Sequence, residues 1–338
     1  MLSHKSKIFV TGATGFLGSY IVRQLLDDKY ENITCLSRRN STKDLTSDFY
    51  HKVTWVDGDV LDVPFLSEVL QGVDCIIHAA AIVTFSIREK KKMIQTAVDG
   101  TANLVNIGLE YDVKKFVHIS SIAAIGRKKP IEDISEKMIF SHSKYDTTYG
   151  LSKFLAEQEV WRGHAEGLNV TILNPSMILG AGRWSSSSVQ IFKKVKNGIS
   201  YYPYGINGWV DVRDVANAVV ISVSELYNGE RFIISAENLP YKSVMEDIAV
   251  GLSVKAPDKK VNMNLAGIVW RLEAIRSYLT GKNPTITKET IQSTSVISRY
   301  DNTKSKEILG LQYRPIKDTI KESCEVFKST IEKGVGIF

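Results

Sequence analysis

The sequence predicts an α/β protein with a doubly wound parallel sheet and a smaller, mostly helical C-terminal lobe. Two observations carry that prediction. Short apolar runs alternate with helically periodic segments through the first half of the 338 residues, which is the rhythm of βαβ units. And "TGATGFLG", residues 11–18, places Gly12, Gly15 and Gly18 three apart where the first strand ends and the first helix begins. Glycines there let the backbone approach a ligand closely, and a helix N-terminus offers unpaired N–H groups to a phosphate. The arrangement suits a dinucleotide pyrophosphate, bound at the carboxyl ends of the strands.

Taken in order, strands read at 7–11, 33–37, 53–56, 74–79, 115–120 and 169–174, with helices at 16–28, 64–71, 88–111 and 147–166. After Pro175 the rhythm breaks. Residues 180–208 are rich in Gly, Ser and Tyr and read as a loop with a helix at 187–197; 210–226 reads as an amphipathic helix and 231–236 as a strand. From 237 onward helices and loops dominate. A dinucleotide-binding domain is therefore expected over 1–175 with 209–236 interleaved, and a substrate lobe over 176–208 and 237–338.

Composition excludes several classes. With 43% hydrophobic and 24% charged residues the chain is an ordinary globular protein, and its net charge of +6 is mild. The basic runs at 88–92, 127–129 and 193–196 lack interleaved aromatics and read as solvated faces, not as a nucleic-acid groove. Cys35 and Cys75 fall in strand patterns and Cys324 in a helix pattern, which is no disulfide framework. No segment reaches the roughly 18 uncharged apolar residues of a membrane span, and a strand follows the first residues where a signal peptide would run. The six histidines show no ligand spacing, so no metal is expected; His78 and His118 read as core histidines. A cytoplasmic protein is expected.

Tyr149 and Lys153 lie four apart on a helix and so on one face. An ammonium near a phenol favours the phenolate, and such a pair can exchange a proton with a carbonyl or alcohol. Spacing alone is weak, because Tyr111/Lys115, Tyr278/Lys282, Tyr300/Lys304 and Tyr313/Lys317 repeat it. Position selects Tyr149, which opens the helix after the strand whose carboxyl end carries Ser120 and Ser121.

"TGATGFLG", "HISSIAAIG" and "YGLSK", in that order and spacing, resemble the extended short-chain dehydrogenase/reductase family. The similarity is to its branch of dihydroflavonol reductases, 3β-hydroxysteroid dehydrogenases and related carbonyl reductases. "GDVLD" at 58–62, "HAAA" at 78–81, "NPSMILG" at 174–180, "WVDVRDVANAV" at 209–219 and "DNTKSKEILGLQYRP" near the end extend it over nearly the whole chain.

The resemblance implies a Rossmann-like fold, a bound nicotinamide cofactor and roles for named residues. Ser121, rather than Ser120, aligns with the catalytic serine when counted back from Gly126 and would hydrogen-bond the substrate oxygen. Tyr149 would exchange the proton, and Lys153 would tune Tyr149 and hold the nicotinamide ribose. Gly12, Thr14, Gly15, Phe16, Leu17 and Gly18 would meet the pyrophosphate. Asp59 and Val60 would sit at the adenine, Ala79, Ala80 and Ala81 would line the cofactor, and Pro175 would border the nicotinamide. One departure stands out: Ala97 replaces the Asn that the family often carries in Asn-Val-x-Gly-Thr.

The second strand ends in Ser37, Arg38 and Arg39, with Lys43 following, where NAD-preferring enzymes commonly place an acid. A guanidinium grips a 2′-phosphate with charge-assisted bonds, so NADP(H) is expected, with NAD(H) the alternative. The reading is an NADP(H)-dependent oxidoreductase of a small, fairly apolar carbonyl or alcohol, forming a homodimer through helices 88–111 and 147–166. A nucleotide-sugar epimerase and a non-catalytic dinucleotide sensor remain the other two classes. Phe85, Ile122, Trp184, Tyr201, Tyr202 and Tyr204 are candidate linings of an apolar substrate pocket.

Overall fold

The computed structural model describes the chain except residues 1, 85–86, 142, 144, 185–187, 225–226, 263–266, 268–269, 274–275, 278–279, 281–286 and 334–338. Seven of its strands, numbered in chain order, form the main sheet: β1 (Lys7–Thr11), β2 (Asn32–Ser37), β3 (Thr54–Asp57), β4 (Cys75–His78), β5 (Lys115–Ile119), β7 (Val170–Pro175) and β11 (Glu230–Ile234). They run in the order β11–β7–β5–β4–β1–β2–β3, and every neighbouring pair is parallel. The winding direction reverses between β1 and β4, which opens a crevice beyond the carboxyl end of β1.

The central strands β4, β5 and β7 are buried along their whole length, as a sheet covered on both faces requires. On one face lie α1 (Phe16–Asp27) and α6 (Val212–Ser224), whose Ile21, Leu25, Val215 and Val219 pack with Ile8, Val10, Ile77 and Val117. On the other lie α2 (Val63–Val69), α3 (Lys90–Glu110) and α4 (Thr148–Ala165), where Leu66, Leu104, Val105 and Val160 meet Phe9, Ile76 and Phe116. Alternate strand residues thus feed opposite layers, the pattern that period two produces.

Two expectations needed revision. The segment 210–226 is not helical from its start: β10 (Ile206–Asp211) runs through Trp209 and Val210 before α6 begins at Val212. The switch occurs where the Asp211 carboxylate accepts the Arg213 amide at 2.7 Å and caps the incoming helix. The C-terminal lobe also holds more strand than its composition suggested. A second sheet joins β12 (Glu237–Pro240), β10, β14 (Ile297–Tyr300) and β6 (Ile131–Ile134), with β8 (Met177–Leu179) paired to β10. Strands of three to six residues from five separate segments carry too little periodicity to be read individually.

Around this sheet pack α5 (Gln190–Lys196), α7 (Tyr241–Leu252) and the helix Ile316–Lys333, through Phe192, Val244, Ile248, Ile320 and Phe327. A small ladder of β9 (Tyr201–Tyr202) with β13 (Lys259–Lys260) lies beside them. No described helix is long and apolar enough to cross a membrane.

Candidate active site

The glycine corner occupies the crevice. Gly12 has φ of +77°, and a Cβ there would sit 2.7 Å from the backbone of Ala79 and Ala80. A Cβ on Gly18 would lie 2.0 Å from the Gly12 carbonyl oxygen, so α1 closes on the loop only without one. Gly15 is less confined; its amide donates to the Gly12 carbonyl at 2.9 Å. The amides of Phe16, Leu17 and Gly18 precede the first bond of α1, from the Ser19 amide to Gly15 at 3.0 Å, and a helix leaves such amides for a ligand. Thr11 Oγ1 accepts the Ala80 amide at 3.1 Å and fixes the loop of Ala79–Ala81 beside the glycines.

A cleft of about 1040 Å³ opens from this corner, lined by Thr14, Gly15, Arg38, Arg39, Asp59 and, from the distant 180–184 segment, Arg183. The fit to a dinucleotide phosphate is good: bare backbone at one end, guanidinium groups at the other. Arg38 and Arg39 are exposed. Lys43 is turned away, its ammonium over the rings of Tyr50 and Trp55 at 5.1 and 5.6 Å. Asp59 accepts the Leu61 amide at 3.0 Å, whereas the cap of α2 is Asp62. Val60 is buried against Gly100 of α3, and its carbonyl accepts Asn103 Nδ2 at 3.0 Å. Arg183 was legible only as a cation; its place in the cleft is tertiary. It binds Asp44 and the carbonyls of Thr14 (3.2 Å) and Thr42 (2.8 Å), joining three loops.

At the end of β5, Ser121 opens a 3₁₀ turn, its Oγ accepting the Ala123 amide at 3.2 Å. Thr147 caps α4 through the Gly150 amide at 3.0 Å, which sets Tyr149 in the first turn. The Tyr149 phenol faces the Ser121 hydroxyl, which favours its ionised form. Lys153 lies one turn further on, only 4% exposed, its Nζ donating to the Ile119 carbonyl at 2.8 Å. So the three sequence-selected residues converge. Of the other Tyr/Lys pairs, Tyr111/Lys115, Tyr300/Lys304 and Tyr313/Lys317 each straddle two elements, and Tyr278 lies outside the described residues. Pro175 ends β7, buried beside Ile234.

The electrostatics differ from the simple expectation for Tyr149. Burial raises its phenol above the usual range, and the nearby Ser121 hydroxyl works against that rise. Lys153 is itself pushed down to about 8 by burial, against the opposing pull of Glu157, and its ammonium is spent on a carbonyl. Desolvation therefore sets the direction of the phenol's shift.

Behind Lys153 the buried polar groups continue. His78 is a satisfied core histidine, bonded to Thr11 Oγ1 at 2.8 Å and Thr101 Oγ1 at 3.1 Å, with its pKa lowered to about 3 by burial. His118 departs from that expectation: neither ring nitrogen has a protein partner. Thr101 also donates to the Ala97 carbonyl at 2.6 Å, so the helix backbone stays anchored where the family often has Asn. Among the candidate pocket linings, Ile122 is buried and Trp184 packs on Phe327, with ring centroids 4.7 Å apart. Tyr201, Tyr202 and Tyr204 instead lie under the ammonium groups of Lys259, Lys242 and Lys260. Phe85 lies outside the described residues.

Comparison with known proteins settles the lineage. Residues 8–235 match the model of the NAD dependent epimerase/dehydratase family. This chain belongs to that family. The family match spans the glycine corner, the cleft and the Ser121–Tyr149–Lys153 cluster. Among curated relatives, a putative dihydroflavonol 4-reductase of Synechocystis is 27% identical over 331 residues, covering 95% of this chain and 94% of that one. Cinnamoyl-CoA reductase 1 of Petunia hybrida is 25% identical, covering 97% and 92%. The crystal structure of gox2253 superimposes with a TM-score of 0.83 at 27% identity, covering 96% of this chain and 98% of that one. A UDP-glucose 4-epimerase of Thermotoga maritima shares the fold, with a TM-score of 0.78, 19% identity and coverage of 96% and 99%.

Proposed function

We propose that this family member is an NADP(H)-dependent oxidoreductase that interconverts a carbonyl and an alcohol on a small, fairly apolar compound. The observation that carries the reading is the meeting of Ser121, Tyr149 and the buried Lys153 at the carboxyl edge of the sheet. When bound, the nicotinamide supplies or accepts the hydride. The chain's own residues do the rest. Ser121 Oγ donates to the substrate oxygen, Tyr149 Oη gives that oxygen its proton in reduction and takes it back in oxidation, and Lys153 Nζ holds the ribose. Arg38 and Arg39 grip the 2′-phosphate, with Gly12–Gly18 at the pyrophosphate and Asp59 and Val60 at the adenine.

The reductase names among the relatives support this direction. The nucleotide-sugar reading draws support from the family's epimerases, yet Asn207 and Arg213, two residues that could meet a diphosphate, are already engaged. Asn207 bonds the Tyr241 hydroxyl at 3.3 Å, and Arg213 is paired with Asp211 (2.6 Å) and Glu322 (2.7 Å). An intact Ser121, Tyr149 and Lys153 set weighs against a sensor. We further take 1–175 with 209–236 as the cofactor domain and 176–208 with 237–338 as the substrate lobe. The adjacent helices α3 and α4 are the proposed homodimer surface. Cysteines that are buried and unbridged, Cys35, Cys75 and Cys324, fit a cytoplasmic setting.

The test is a panel of aldehydes and ketones with NADPH, run beside a panel of nucleotide sugars. NADPH oxidation with a carbonyl compound is expected. Epimerisation of a nucleotide sugar without net NADPH consumption overturns the reading.

A further inference from the structure

Glu157 is fully buried on α4, one turn beyond Lys153 and two beyond Tyr149. A buried carboxylate is costly unless paired, and this one is heavily paired. Arg231 Nη1, on β11, lies 3.3 Å from Oε2. Asn174 Nδ2, at the end of β7, donates to Oε1 at 2.6 Å. The same Asn174 Nδ2 donates to the backbone carbonyl of Ser121 at 2.8 Å. The Ser120 hydroxyl faces the same carboxylate. Arg231 also reaches the carbonyls of Glu136 and Met138, on the segment that leads toward Tyr149. One carboxylate thus ties β5, β7, β11 and α4 together under Ser121 and Lys153.

We propose that Glu157, held by Arg231, is a positioning residue: it keeps Lys153 an ammonium at the working pH and, through Asn174, fixes the backbone that presents Ser121. The inference rests on the roles given above to Ser121, Tyr149 and Lys153. Among the described residues, the other ionisable groups beside Lys153 bring it no compensating charge. His118 on β5 and His78 on β4 are held neutral in the buried layer, by burial first and the ammonium second, and offer no negative charge. Burial pulls the Lys153 ammonium down, and Glu157 is the acid that opposes it. Burial raises the Glu157 carboxyl overall, and Arg231, with Ser120 and Asn174, favours its charged form against that rise. The alternative is a structural knot with no bearing on Lys153, and a pH profile separates the two.

The experiment measures the Kd for NADPH, by quenching of protein fluorescence, against pH in the wild type and in Glu157→Gln. The wild type should weaken on an alkaline limb as Lys153 loses its proton. In Glu157→Gln that limb should move to lower pH by about one unit or more, with the alkaline limb of kcat moving alongside it. Glu157→Gln leaves Arg231 unpaired, so Glu157→Gln/Arg231→Met, with both charges gone, should show the same displaced limb. Glu157→Asp, which keeps the charge but draws it back by one methylene, should fall between wild type and Glu157→Gln, and it decides the question if the others do not fold. A limb that stays at the wild-type pH in a folded variant overturns the Glu157 assignment alone. Absence of NADPH binding in the wild type overturns the cofactor reading beneath it.

Discussion

The phenol of Tyr149 and the hydroxyl of Ser121 face one another, although one belongs to a helix and the other to the turn after a strand. The Gly126 backbone at φ +80° and the Thr147 cap steer the intervening chain so that they meet. Because burial raises the phenol, Tyr149 stays protonated through neutral pH, the form that a proton donor in carbonyl reduction needs.

Tyr149→Phe should therefore lower kcat by about 10²-fold or more, since positioned proton transfer contributes on that scale. NADPH affinity, measured by fluorescence titration, should change little. Tyr111→Phe is the matched control: its hydroxyl donates to the Ser67 carbonyl at 3.0 Å, so only a small loss of stability is expected. A Tyr149→Phe enzyme retaining a tenth or more of the activity would mean that another group moves the proton.

Arg38→Asp should reverse or narrow the preference for NADPH over NADH. Arg38 lines the cleft and is exposed. A charge-assisted bond to phosphate contributes about 1.5–3 kcal/mol, so the wild-type preference should be about tenfold or greater. Equal dissociation constants for both cofactors in the wild type would contradict this.

The histidine layer predicts acid lability. His78 is held at about 3 and His118 well below its ordinary value, both by burial. Folded-state values that lie below the unfolded value near 6.5 mean that the unfolded chain takes up protons first, so stability present above about pH 6.5 is lost on acidification. At pH 5 His78 should cost about 2 kcal/mol relative to pH 7.5, and His118 should add a loss of the same sign. In His118→Leu, the His118 part of that loss in Tm-derived stability should disappear. An unchanged pH slope in a folded His118→Leu would count against it.

Substituting the glycine corner should give graded effects. A Cβ at Gly18 meets a carbonyl oxygen at 2.0 Å, whereas one at Gly15 meets the same oxygen at 3.1 Å. Gly18→Ala should destabilise by about 1–3 kcal/mol and abolish measurable NADPH binding, with Gly15→Ala milder in Tm. Thermal unfolding of both variants reads the order directly; a Gly15→Ala less stable than Gly18→Ala would refute this packing.

Much of this protein is written locally. The glycine spacing, the buried strands and the capped helices are short-range patterns, because backbone geometry and burial on two faces leave a period in the sequence. Predicted strands at 7–11 and 115–120 meet observed Lys7–Thr11 and Lys115–Ile119, and the predicted helix at 147–166 meets Thr148–Ala165. Tyr149, Lys153 and the basic end of β2 were readable for the same reason, with the resemblance choosing Ser121 over its neighbour. Glu157 was legible as one more step of four along the helix, although nothing in the sequence gave it a partner.

Only the tertiary structure could decide the rest. Arg183 enters the cofactor cleft from a segment far along the chain, and Arg231, Asn174 and Glu157 come from three elements to form one buried group. The five short strands of the second sheet find each other across equally distant segments. The direction of the Tyr149 shift also belongs here, since sequence shows which charge is nearby but not how much water is removed. Side-chain desolvation and long-range pairing depend on the packed whole, and no local period encodes them.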